Sequence, residues 1–226
     1  MRNSTATPWP ASTDIGFVRG LIIAAFFLVS LPLLEVIVVN LAGTGYIIDT
    51  LKGAAIILPV HIFSLFMVGF VVQRWGGIHF KSLFRRLPNL REGIKWGSVG
   101  ALLGSTMFFK ALNSGYRFDN PEANIMVLVL LVKVSLITPL VEEIKYRAVF
   151  YAALRKKGRI IAYAVSSLVF TLAHAPSYGD LFLHGSMGLS GGQIAGLLLA
   201  GLVFAHIYET TGKLLVCVLC LSLIHI

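Results

Sequence analysis

Charge is scarce in this chain. Only 13% of its 226 residues are Asp, Glu, Lys or Arg, and acids are rarer still, 10 against 19 bases. With 57% hydrophobic residues and a mean hydropathy of +0.84, that scarcity argues against a soluble globular domain and for a polytopic helical membrane protein. Cysteine is nearly absent. Cys217 and Cys220 share one helical face in a late apolar run, and two thiols support neither a disulfide framework nor a zinc ribbon, so both are expected to be membrane-buried thiols. HExxH is missing, which removes the common zinc-protease signature. The formal net charge of +9 could indicate a nucleic-acid binder, but the bases cluster in short loops between apolar runs. That is the pattern of membrane topology, and no nucleic-acid partner is expected.

What is present is a series of apolar runs of spanning length, each needing roughly 20 residues. Candidate spans run from about Phe17 to Leu41, Leu51 to Val72, Ile94 to Leu112, Ile125 to Leu154, Ile160 to Ala175, Gln193 to Tyr208, and from Leu214 onward. The fold class expected is therefore all-α: a polytopic helical transmembrane bundle of about seven spans, the last incomplete. The first run is too long for a signal peptide and lacks a small-residue cleavage site, so it reads as a retained span. The loop after the second span carries Arg74, Lys81, Arg85, Arg86, Arg91 and Lys95 against Glu92 alone, and the turn after the fourth carries Arg155, Lys156, Lys157 and Arg159 with no acid. The intervening loops are near neutral. This alternation puts the N-terminus and the basic loops in the cytoplasm. At about 30 residues the fourth run is too long for one straight crossing, and Thr138-Pro139 is expected to break it. Thr138 would then cap, and Pro139 open, a second helix whose N-terminal end helps to keep Glu142 ionised.

That fourth run contains Glu142-Glu143-Ile144-Lys145-Tyr146-Arg147. On a helix Glu143 and Arg147 share a face in the orientation that favours an ion pair. Glu142 is turned about 100° away and left without that partner. An unpaired carboxylate at membrane depth is a candidate functional group. About as far beyond the basic turn as Glu142 lies before it comes Phe170-Thr171-Leu172-Ala173-His174. Positions equidistant from the turn of a helical hairpin come level, so Glu142 and His174 should meet. Carboxylate and imidazole together form a general acid/base unit able to activate water. They could equally be two ligands of a metal such as zinc.

The order EExxxR, then FxxxH about thirty residues later, then a Gly-rich apolar helix ending in Tyr208-Glu209-Thr210-Thr211-Gly212, resembles the CPBP family of CAAX prenyl proteases and bacteriocin-processing enzymes, also called Abi. The resemblance covers roughly the last hundred residues, a core of about 125–220. It implies an intramembrane endopeptidase in which Glu142 is the base, His174 assists it or polarises the carbonyl, and Glu143, Arg147 and Phe170 support the site. It implies a peptide or protein substrate, lipidated in the eukaryotic branch, a lipid bilayer, and residence in the membrane, here expected to be a bacterial plasma membrane. A metal-free Glu/His site fits the resemblance better than a zinc site, although zinc stays open. The family also has a histidine followed by Asn or Asp near what would be position 221, for the oxyanion. Here the chain reads Leu221-Ser222-Leu223-Ile224-His225-Ile226, a hexapeptide that one frame of a common transposon-end sequencing adapter encodes. Residues 1–220 are thus expected to form a single integral membrane domain, with 221–226 an adapter artefact and His225 part of it. The chain as written would then lack the third motif, a loss that could leave it inactive.

Competing readings are a non-catalytic bacteriocin self-immunity or scaffold protein, and a small proton-coupled transporter in which Glu142, His174 and Glu35 relay protons. Glu35 and His61 are otherwise a polar interhelical pair. His206 is expected at a packing or interfacial position, His184 in solvent, and Lys133 and Lys145 snorkelling. Gly196 and Gly201 are expected to allow close helix packing.

Overall fold

A computed structural model describes residues 15–41, 51–84, 87–113, 132–174 and 189–225, and among them every regular element is helical. Helices α1 (Phe17–Leu41) and α2 (Leu51–Arg74) precede a single turn, α3 (Phe80–Leu83), and α4 (Leu90–Asn113). Next, Lys133–Ile137, Thr138–Glu143, Ile144–Tyr151 and Ala152–Arg155 run on as one helix, α5. Helices α6 (Arg159–Ala173), α7 (Gly191–Thr211) and α8 (Leu214–His225) complete the chain. The helices fall where the apolar runs predict, α1 with the same limits. Among the described residues, α7 is long and apolar enough to cross a membrane; Phe17–Ser30, Leu58–Arg74, Arg159–Ala173 and Leu214–Ile224 are shorter apolar stretches.

Helix α5 is the axis of the molecule. It touches α1, α2, α6, α7 and α8, while α6 packs on α7 and α4 packs along α8. From Tyr146 to Leu154 every side chain is buried, as expected of a helix surrounded by others. Small residues permit the closest approaches. A Cβ on Gly201 would lie 2.9 Å from the Ser167 Cα, and one on Gly100 would collide with the Cys220 carbonyl oxygen. Gly201 thus fills the packing role expected of it, whereas Gly196 faces open space. Cys217 and Cys220 are free and buried, as expected.

The expected break at Thr138-Pro139 is not there. Ile137 (φ −74°, ψ −50°) and Thr138 (φ −60°, ψ −51°) are both helical, and Thr138 caps nothing. The backbone widens instead: Lys133–Ile137 is π-helical, and the Thr138 N–H reaches the Lys133 carbonyl five residues back. A wider turn relieves the crowding that a proline ring imposes on the preceding turn, so the helix passes through Pro139 without ending. Glu142 is therefore in mid-helix, and the helix-terminus argument for its ionisation falls.

Both ends of α7 and the start of α4 are capped in ways their sequences prescribe. Ser190 and Gln193 form a reciprocal capping box at the start of α7, and Gly212 closes its end in the left-handed conformation (φ 62°). Asn89 and Glu92 form the same box on α4: the Glu92 N–H donates to Asn89 Oδ1 at 2.8 Å, and the Asn89 N–H donates to Glu92 Oε2 at 3.0 Å. Lys213 also donates to Glu92 Oε2. That contact, the Arg155–Glu209 pair and Lys157 over the Phe17 ring at 4.8 Å gather the basic segments at one end of the bundle. The side chain of Glu35, that of His225, and all of His184 lie outside the described residues.

Candidate active site

Two consecutive carboxylates on α5 meet different surroundings. Glu143 and Arg147 are each 0% exposed, with Arg147 Nε 3.3 Å from Glu143 Oε2. The guanidinium carbon sits 5.3 Å from the Phe170 ring centre and 5.6 Å from that of Phe204. Neither carboxylate oxygen and none of the three guanidinium nitrogens has a hydrogen-bond partner among the described residues. Ion pairing and the two aromatic faces are what compensate their desolvation.

One residue earlier, Glu142 points to α6. Its Oε2 lies 3.8 Å from His174 Nε2, and the two side chains are 16% and 24% exposed. The hairpin thus brings level the two groups that chain counting pairs. His174 is the C-terminal cap of α6, and its Nδ1 is 2.7 Å from the Phe170 carbonyl oxygen. A carbonyl only accepts, so Nδ1 carries the hydrogen, and in the neutral ring Nε2 turns its lone pair towards Glu142. Phe170 therefore positions the imidazole twice: through its carbonyl, and through its ring, whose centre is 4.4 Å from that of His174. The same ring packs edge-on against Tyr146 and Phe204.

Zinc would find two ligands here, Glu142 and His174. A zinc site takes at least three protein ligands, and among the described residues no third His, Cys, Asp or Glu joins them.

A second polar cluster escaped sequence reasoning. Glu209, near the end of α7, accepts from Tyr151 Oη at 2.8 Å and from Arg155 Nε at 3.1 Å to both of its oxygens. Arg155 Nη2 adds a 3.0 Å ion-pair contact and Arg159 Nε one of 3.7 Å. The hydrogen bonds that Arg155 donates to Glu209 hold its guanidinium above its ordinary pKa. The available signal was that Glu209 is the sole acid after Asp180. His206 is exposed, with Nδ1 3.4 Å from Tyr163 Oη and its ring 6.1 Å from that of Trp96. At the start of α4, the hydrogen bond from Lys213 and that from the Asn89 N–H hold the Glu92 carboxyl below the usual carboxylate range, against a smaller opposing effect of burial.

Among the described residues the chain is all-helical, built around one helix that carries a buried ion pair beside an acid facing an imidazole. Residues 123–226 match the family described as type II CAAX prenyl endopeptidase, Rce1-like, so this C-terminal part of the chain is similar to the CAAX proteases. That family is one of membrane-associated proteases, so the coarse assignment is protease. No curated protein and no solved structure matches the chain.

Proposed function

We propose that the protein is an integral membrane endopeptidase of about seven spans that hydrolyses a peptide bond with a water activated by Glu142 and His174. Its substrate is a peptide or protein presented at the membrane, with or without a lipid, and the N-terminus and basic loops face the cytoplasm of a bacterial cell. Support for the bilayer comes from large apolar side chains left exposed around the helices, among them Val18, Phe66, Phe70, Leu102, Ile160 and Leu199. The basic segments gathered at one end agree with the positive-inside bias.

The observation that carries the catalytic reading is the pairing of Glu142 with a histidine whose other nitrogen is spent on a backbone carbonyl. Carboxylate and Nε2 are both acceptors, 3.8 Å is too long for a direct hydrogen bond, and Glu142 Oε2 is buried with no hydrogen-bond partner among the described residues; a water admitted between them would donate a hydrogen to each. In the reaction Glu142 takes a proton as the water oxygen attacks the scissile carbonyl carbon. The proton then passes to the leaving amine as the C–N bond breaks, and His174, by sharing the proton, keeps the water oriented throughout. Glu143 and Arg147 hold α5 in place, and Phe170 holds the imidazole.

The test uses the full chain reconstituted in liposomes with a quenched-fluorescence peptide library, offered with and without a prenyl group. Glu142→Gln and His174→Ala should each lower cleavage by at least about 100-fold with abundance and membrane insertion unchanged. Full cleavage by Glu142→Gln sinks the reading. Undiminished protection of cells against a bacteriocin by that variant would point instead to a non-catalytic immunity role.

A further inference from the structure

The start of α1 and the end of α2 frame a cleft of about 730 Å³, lined by Val18, Arg19, Ile22, Ile23, Arg74 and Trp75. Its composition divides by chemistry. Two guanidiniums sit in it; among the described residues no acid lines it and neither guanidinium has an ion-pair partner. The other lining residues are aliphatic or indole. From the level of Arg19, exposed apolar side chains continue along α1 at helical spacing: Val18, Ile22, Phe26 and Val29. Trp75, itself exposed, leans on this stripe, its ring 6.0 Å from that of Phe26 and nearly perpendicular to it. The cleft lies at the basic end of the bundle, since Phe17, two residues before Arg19, is covered by Lys157.

Two cations at the head of an apolar track are complementary to a molecule with an anionic head and a hydrocarbon tail. We propose that this cleft is a binding site for an anionic phospholipid of the surrounding bilayer. Its phosphate lies between Arg19 and Arg74, the Trp75 indole marks the boundary between headgroup and acyl chain, and one chain runs down the Ile22–Phe26–Val29 stripe. A bound lipid would hold α1 against α2, and α1 in turn packs on α5. The site rests on the membrane reading above and is independent of the peptidase chemistry.

Thermal melting of the full chain in a neutral detergent tests it, with phosphatidylglycerol, phosphatidylcholine or inorganic phosphate added. Phosphatidylglycerol in excess over its dissociation constant should raise the melting temperature by about 5 °C, while phosphatidylcholine and phosphate leave it unchanged. Arg19→Gln/Arg74→Gln should lose most of that rise, and Arg91→Gln, a base on α4 outside the cleft, should keep it. If the double variant does not fold, each single variant should lose at least half of the rise. Equal stabilisation by phosphatidylcholine, or a rise retained in the cleft variants, overturns the proposal. So does an equal loss in Arg91→Gln, and a rise with phosphate alone would make this a free-anion site instead. A chain that stays monodisperse without detergent would break the membrane reading itself, a result distinct from all of these.

Discussion

Glu142 and Glu143 are neighbours in sequence, yet one faces a guanidinium in a dry, aromatic-walled interior and the other faces an imidazole with partial access to the surroundings. The helix separates them by about 100°, enough to give two carboxylates opposite constraints. Glu143 cannot lose its partner without leaving a buried, uncompensated charge behind, so its surroundings favour rigidity. Glu142 is held near its partner but not bonded to it, and a group free to change partners can handle a proton. A dry pair beside a wetter one on a single helix lets the same element carry both the stability of the bundle and the chemistry proposed for it.

The sharpest way to break that comparison is to remove one charge from each pair. Glu143→Ala should cost about 3–5 kcal/mol, because Arg147 remains buried and unpaired, and should lower thermal melting in detergent by about 10 °C. Replacing both partners, as in Glu143→Leu/Arg147→Met, should recover most of that loss. Glu142→Ala should change melting by no more than about 1 kcal/mol while abolishing cleavage. Equal destabilisation by the two single substitutions would erase the distinction drawn between the two carboxylates.

A smaller effect is expected at the basic end. Glu209→Gln weakens a charge-assisted clamp shared by Tyr151, Arg155 and Arg159, and about 2 kcal/mol is expected from the loss of such bonds. Hydrogen exchange should report loosening between the end of α5 and the end of α7, and no change there would show that the clamp is not stabilising. Smallest of all is the Glu92–Lys213 contact. The folded carboxyl sits below its ordinary value, so the unfolded chain binds the proton more tightly. The contribution is then complete above the unfolded pKa of about 4.3 and is lost as pH falls through the folded one. Between neutral pH and about pH 3, Glu92→Gln should flatten the acid loss of melting temperature by an amount worth less than about 1 kcal/mol. An unaltered acid limb would exclude that role.

How much of this was legible in the residues depended on the range of the interaction. The helix positions followed from apolar run lengths, and the Glu143–Arg147 pair from a spacing of four. The meeting of Glu142 with His174 needed only the turn between them and equal counting on either side. Pro139 misled, because the rule about prolines assumes an α-helical backbone and the chain answers by widening to a π-turn. The Glu209 clamp was invisible for a different reason. Its partners lie 54 and 58 residues away, and which turns adjoin across a bundle is decided by packing such as Gly201 on Ser167. The hydrogen bond from His174 Nδ1 to the Phe170 carbonyl goes with its helix-cap position, which an apolar run does not mark.

The eight π-helical residues from Ile144 to Tyr151 set the angular phase between the two ends of α5. Each residue advances a helix by about 100°, so the acid that faces His174 and the arginine that meets Glu209 are keyed to one another by the number of residues this overwide segment accommodates. Deleting a single residue there would swing Arg155 by roughly a quarter turn relative to Glu142 and leave no register in which both contacts survive. The bundle therefore behaves like a lock with two wards cut on one shaft, tolerant of changed side chains along its length and intolerant of a changed count.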